Sequence, residues 1–151
     1  MSIEQDIRQV NFRNDQHKAI INIVYTYNWT MERQKALFDT EKITPQQFNI
    51  LRILRGAQPH PISTLQIRER MLDKMSDTSR IVDRLVIKGL ANKKTNLNDK
   101  RLVDISITNA GLDLLKRLDI KNDEMDAILG KLNGDEVKTL NILLDKIRSA
   151  D

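Results

Sequence analysis

Between Leu85 and Gly111 the apolar spacing of the chain changes twice, from helical to alternating and back to helical. Leu85 closes a helical set with Ile81 and Val82, and Gly89 is the residue type that ends helices in a left-handed conformation. Val103, Ile105 and Ile107 then alternate with Asp104 and Ser106, the period-two signature of a half-buried strand. Leu90–Thr95 and Leu102–Ile107 are therefore predicted strands of one hairpin, joined by Asn96-Leu97-Asn98-Asp99-Lys100, whose Asn and Asp residues suit a turn. Thr108 is a capping residue type and opens the next helix. A helix that runs straight into a hairpin, and a hairpin that runs straight into a helix, leave few compact arrangements.

The stretch upstream narrows them further. Ser63 is predicted to cap a short helix with Gln66 completing the capping box, and Leu65, Ile67 and Met71 form its expected buried side. A break follows around Leu72-Asp73-Lys74, and Ser76 or Asp73 caps a second helix that runs to Ile87. Its inward set is Ile81, Val82 and Leu85, with Met75 and Thr78 as further candidates, while Ser76, Asp77, Ser79, Arg80, Asp83 and Arg84 make its outer face. Two short helices, a tight turn and a polar outer face on the second read as a helix-turn-helix, and the hairpin after it reads as a wing. Ile62, just ahead of Ser63, is expected to pair with that hairpin as a strand of one or two residues.

The flanks are predicted to be helical, in keeping with only 5 Gly and 3 Pro in 151 residues. One long helix is expected over most of Asp6 to Phe38. Ile20, Val24, Tyr27 and Met31 mark one face, and Ile21, Tyr25 and Trp29 widen it. So broad an apolar surface needs more than one partner, which implies a second subunit. Thr44-Pro45-Gln46-Gln47 starts another helix, with Phe48, Ile50, Leu51, Ile53 and Leu54 facing inward, Gly56 as its terminator and Gln58-Pro59-His60-Pro61 as a turn. A helix from Asn109 to about Leu129 carries Gly111 in its first turn, which costs about 1 kcal/mol against Ala and implies close approach to another backbone. After breaks at Gly130 and Asn133-Gly134, a last helix over Asp135–Arg148 carries Val137, Leu140, Leu144 and Ile147.

Charge points to a partner. The net charge is +4, yet the segment from Ser63 to Arg101 holds ten bases against five acids, and the rest of the chain is nearly balanced. A localised basic excess favours a polyanion. Several chemistries are excluded or unsupported. With no cysteine there is no disulfide, thiolate zinc site, cysteine nucleophile or thiol switch. His17 and His60 have no metal-ligand spacing, and no nucleophile elbow, phosphate loop or dinucleotide fingerprint occurs, so no catalytic residue, metal or cofactor is expected. His17 reads as structural or pocket-lining. No window approaches 18 apolar residues, and Met1-Ser2-Ile3-Glu4-Gln5-Asp6 does not resemble a secretion signal, so a cytoplasmic protein without a membrane span is expected.

Leu85-Val86-Ile87-Lys88-Gly89-Leu90, Asn98-Asp99-Lys100-Arg101 and Asp104-Ile105-Ser106-Ile107-Thr108-Asn109-Ala110-Gly111, in that order and spacing, resemble the multiple-antibiotic-resistance regulator (MarR) family of bacterial transcription factors. Ile43-Thr44-Pro45-Gln46-Gln47-Phe48 resembles the start of the family's second helix. Arg68 departs from the family pattern, which has a small residue there. The resemblance implies a mainly α fold with a small β-hairpin wing: a winged helix-turn-helix over residues 39–108, on a helical dimerisation layer built from residues 1–38 and 109–151. It implies a homodimeric, sequence-specific regulator of a pseudo-palindromic operator in double-stranded DNA. Such a regulator is expected to be a repressor released by a small aromatic or anionic effector seated between the two layers, with pocket residues that the sequence leaves unknown.

Ser76, Asp77, Thr78, Ser79 and Arg80 start the expected recognition helix, where side chains meet base edges. Arg84 is expected on a phosphate, or else in an ion pair with Asp83 or Glu69. Lys93, Lys94 and Lys100 are expected phosphate neutralisers, and Arg101 is expected to enter a minor groove from the wing tip. Asp99 would repel phosphate and is expected to brace the wing turn or orient Arg101. The rival reading is a winged-helix protein-interaction module that does not bind DNA.

Overall fold

A computed structural model describes residues 2–149. In chain order the elements are α1 (Ile3–Ile7), α2 (Asp15–Asp39), α3 (Pro45–Ala57), α4 (Thr64–Arg70), α5 (Thr78–Ile87), β1 (Ala91–Thr95), β2 (Val103–Ile107), α6 (Asn109–Asp119), α7 (Asn122–Asp126), a 3-10 turn at Ala127–Leu129, and α8 (Gly134–Arg148). The fold is mainly helical with one two-stranded antiparallel sheet, as the spacing predicts. Helix starts follow side-chain chemistry. Thr44, Ser63 and Thr108 each accept the backbone N–H three residues on, and Gln47 and Gln66 reach back to close capping boxes. Gly89 ends α5 at φ +70°, where a Cβ would be strained.

In the wing Ala91 stands opposite Ile107 and Thr95 opposite Val103. Ile62 exchanges both backbone hydrogen bonds with Ile105, at 3.0 and 2.9 Å, so the segment before α4 ties the helix-turn-helix to the hairpin. The core sits where α3 meets the other elements. Ile50, Leu51 and Leu54 pack with Ile67, Met71, Val82, Leu85, Ile105, Leu114 and Leu115 in one cluster. Burying a side chain of this size stabilises by about 1.5–3 kcal/mol.

Helix α6 leaves the wing through a tight joint. The Thr108 hydroxyl donates to Gly89 O at 2.7 Å and accepts from Gly111 N at 3.1 Å. A Cβ on Gly111 would overlap the Leu90 carbonyl oxygen and lie 2.7 Å from Ile107 Cγ1. That close backbone approach accounts for a glycine in the first turn. Arg55 pairs with Asp119 at 2.7 Å, Arg117 with Glu41 at 2.8 Å, and Lys121 donates to Thr40, so α6 is also fastened to α3 and to the α2–α3 connection. The Arg117 guanidinium holds the Glu41 carboxyl below its usual range.

Several expectations need correction. The single helix from Asp6 is two helices. Arg8 is left-handed at φ 54°, and Asn14 caps α2 by accepting His17 N–H at 2.8 Å. Asparagine bonds the local backbone readily, which favours a fresh cap over an uninterrupted helix. α1 folds back so that Ile3 is buried and Glu4 pairs with Lys18. The helix after the wing ends at Asp119, not near Leu129, and a short α7 follows. Leu65 and Met75, expected inside, are exposed, because α4 has only seven residues and buries Ile67 alone, and Met75 lies in the turn before α5. The two flanking helices α2 and α8 are sparsely covered. α2 buries only Phe38 of its 25 residues, and α8 buries none. Ile20, Val24 and Tyr27 on α2, and Ile142, Leu143 and Ile147 on α8, are exposed.

Candidate nucleic-acid interface and adjoining pocket

α5 presents its outer face because Val82 and Leu85 anchor the opposite one. Ser79, Arg80, Asp83 and Arg84 are exposed on it, and Arg80 and Arg84 lie one turn apart. The cap of α5 is Asp77, not Ser76 or Asp73: its carboxylate accepts from Arg80 N at 3.2 Å. Asp73 acts one step earlier, accepting from Met75 N at 3.0 Å and from the Ser76 hydroxyl at 2.8 Å. Ser76 is therefore half-buried and already bonded. Thr78, expected either inside or at a base edge, is 4% exposed, which agrees with the inward expectation and sets it apart from the exposed residues of this face.

The cations divide by whether an acid of the chain already holds them. Lys93 pairs with Asp83 at 2.8 Å, which joins β1 to α5. Asp83 therefore does not hold Arg84, and Arg84, Lys94 and Lys100 are exposed without an ion pair among the described residues. At the wing tip Asp99 accepts from Arg101 N, Nε and Nη2, each at 3.0 Å. These hydrogen bonds hold the Asp99 carboxyl below its usual range and push Arg101 up. The Arg101 side chain is still 89% exposed, so its remaining donors face solvent. The tip itself is shaped by Asn96, whose carbonyl accepts from Asn98 N and Asp99 N at 2.9 Å. Arg68, where the resemblance expects a small residue, is exposed on α4. Lys88, counted in the basic excess, instead turns back to Lys42 O and Gln47.

Behind the helix-turn-helix lies a pocket of about 780 Å³ between α2, α3, the α4–α5 turn and α7. Phe38 and Phe48, stacked with centroids 4.4 Å apart, line it with Tyr27, Met31 and Met125. α3 contributes Asn49, Arg52 and Arg55 to its polar lining, and Asp73, Lys74, Asp119 and Asp126 add further charge of both signs. Arg55 is bound to Asp119, whereas Arg52 is exposed, lies 5.8 Å over the Phe48 ring and has no carboxylate partner among the described residues. Sequence periodicity could not find this wall, because Asn49 and Arg52 acquire meaning only when α2 and the turn close over them. His17, considered for a pocket, instead accepts from Arg13 N at 3.3 Å at the start of α2. No group of side chains suited to a metal occurs among the described residues, and no described helix is long and apolar enough to cross a membrane.

Residues 43–103 match the MarR family model, a span that runs from the start of α3 to the wing. The multiple antibiotic resistance protein MarR of Escherichia coli (strain K12) is 31% identical over 107 residues, covering 70% of this chain and 73% of that one. A solved MarR mutant of E. coli complexed with operator DNA superposes with a TM-score of 0.82 at 24% identity, covering 93% of this chain and all of that one. BpsR of Bordetella bronchiseptica, described as regulated in DNA binding by 6-hydroxynicotinic acid, superposes with a TM-score of 0.78 at 19% identity, over 87% of this chain and 99% of that one. At those identities the two structures speak for the fold, and the E. coli relative speaks for descent. With the winged helix-turn-helix in place and identity spread over most of both sequences, the chain belongs to the MarR family of transcription regulators.

Proposed function

We propose that the chain is a homodimeric, sequence-specific DNA-binding regulator of the cytoplasm, a repressor released by a small aromatic or anionic effector. The observation that carries DNA binding is the shared exposure of Arg80 and Arg84 on α5 with Lys94, Lys100 and Arg101 on the wing, on one basic segment. Residues 39–108 act as the DNA-binding unit. α5 enters a major groove with Ser76, Asp77, Ser79 and Arg80 foremost, Arg80 suits a guanine edge, and Arg84 and Lys94 suit phosphates. Arg101 reaches the neighbouring minor groove. Residues 1–38 and 109–151 act as the dimerisation layer, because the open apolar faces of α2 and α8 are those a second copy would cover. Two-fold symmetry then sets half-sites one turn apart, roughly 34 Å.

The effector reading rests on the aromatic pocket and Arg52. Rings fit against Phe48 and Tyr27, and the unpaired guanidinium suits an anion. The test is selection of bound fragments from random duplex DNA, followed by binding of the winning sequence with and without a panel of aromatic acids. A palindromic winner with half-sites one turn apart is expected. Failure of both DNA binding and heparin retention at low salt would favour the interaction-module reading.

A further inference from the structure

The α4–α5 turn has an unusual anchor. After α4 ends at Met71, the backbone N–H of Leu72 has no helical acceptor, and it donates instead to Asn49 Oδ1 at 2.9 Å. Asn49 lies on α3, 23 residues away in sequence, and lines the pocket together with Leu72, Asp73 and Lys74. Because a backbone N–H fixes the amide oxygen of Asn49, its Nδ2 points away from Leu72, and that nitrogen has no acceptor among the described residues. Asp73 then continues the chain of bonds to Met75 N and the Ser76 hydroxyl, and Asp77 follows as the cap of α5. Leu72, Asp73 and Lys74 thus belong both to the wall of the pocket and to the approach to α5.

We propose that Asn49 is the positioning residue that couples pocket occupancy to the recognition helix: its carbonyl holds Leu72, while its Nδ2 donates to an anion bound beside Arg52. The pocket half of this statement rests on the effector reading above; the Leu72 half does not. Coupling needs a ligand to interact differently with two arrangements of one element. Here that element is the turn from Leu72 to Ser76, held to the scaffold by the Asn49 amide, by the buried Met71 before it and by Lys74, which donates to Glu69 O on α4. An anion that draws Nδ2 toward itself rotates the carbonyl of the same amide, and the Leu72 N–H must follow or lose its partner. Movement there displaces Ser76 and Asp77 at the end of α5 that faces the groove.

The test uses the full chain with Asn49→Ala and Asn49→Asp. Alanine is the better helix former, so α3 is kept, and aspartate keeps an acceptor for Leu72 while removing the Nδ2 donor. Amide exchange by NMR is the first readout. Leu72 should exchange at least tenfold faster in Asn49→Ala and stay protected in Asn49→Asp, with Leu51 and Leu115 unchanged in both. Affinity for the selected DNA should fall about tenfold in Asn49→Ala and be restored by Asn49→Asp. The second readout is the ratio of DNA affinities without and with benzoate or 2-hydroxybenzoate at millimolar concentration. That ratio should differ from one in the wild type and approach one in both variants. Unchanged Leu72 exchange and unchanged DNA affinity in Asn49→Ala would overturn the positioning role. An aromatic acid that binds the pocket and keeps its full effect on DNA affinity in the variants would overturn the coupling. If no aromatic acid binds, the effector reading fails, and Leu72 exchange still decides what Asn49 does.

Discussion

Gly111→Ala sets two effects of known sign against each other. In an exposed helix the change gains up to about 1 kcal/mol from propensity. Here the new methyl group meets the Leu90 carbonyl oxygen and sits 2.7 Å from Ile107 Cγ1, roughly 0.7 Å short of ordinary contact. Ile107 could turn, but the Leu90 oxygen is backbone and also accepts from Thr108 N at 3.1 Å. α6 cannot lift freely either, because Leu114, Leu115 and Leu118 are buried beneath it. Overpacking costs about 1–3 kcal/mol, and a clash with immobile backbone puts it at about 2–3, so the net loss after the propensity gain is about 1–2 kcal/mol. For a chain of 151 residues that lowers Tm by about 2–8 °C. Circular dichroism melts of both proteins at one concentration measure it, since assembly makes Tm concentration-dependent. Gly56→Ala is the internal control: nothing lies within 4 Å of the added Cβ, and stability should hold or rise by up to about 1 kcal/mol. A Gly111→Ala protein that melts at or above the wild type would refute the close-approach argument.

Arg101→Ala should weaken binding to all duplex sequences and reduce the slope of log K against log salt by about one, measured by fluorescence anisotropy; an unchanged slope would remove the wing from the interface. Ile142→Glu with Ile147→Glu should convert the proposed dimer to a folded monomer in sedimentation analysis, and a persisting dimer would place the interface elsewhere. The Glu4 carboxyl is lowered to about 2, chiefly by the hydrogen bond from Lys18. A depressed carboxylate stabilises above its unfolded value near 4.5 and loses that contribution as pH falls through about 2, so α1 should detach from α2 only in that acid window. An NMR titration of Glu4 with a midpoint near 4.5 would contradict the pairing.

Much of the winged unit was legible because its signals are local. Thr44, Ser63 and Thr108 act within three residues of themselves, and the alternation of Val103, Ile105 and Ile107 is a property of one strand. Ile62 was readable only as a partner for that strand, and its bridge to Ile105 bears this out. The flanks were harder, since most apolar residues of α2 and α8 do not face their own chain. Ile20 and Val24 give a clear helical period yet do not say where the helix starts, and Asn14 decides that by capping. At the end of α6, Asp119 pairs with Arg55 from a helix more than sixty residues earlier, a contact that no sequence window contains. Within the basic segment, Thr78 fits both the inward set and the base-edge set of α5, and burial decides for the first while its neighbour Ser79 is exposed, because adjacent helical positions differ by 100° in direction. Asn49 and Arg52 carried no signal at all.

The bond between Asp83 and Lys93 bears on how such a protein would search a genome. Every cation that a chain leaves unclaimed is available to any phosphate, cognate or not, and strengthens residence on irrelevant DNA. By holding Lys93 at 2.8 Å, Asp83 withdraws one such charge from the face that also carries Arg80 and Arg84. On the proposed reading, an acid amid the bases is a restraint on indiscriminate residence: Asp83→Asn would lengthen dwell times everywhere and narrow the margin between the operator and the rest of the chromosome.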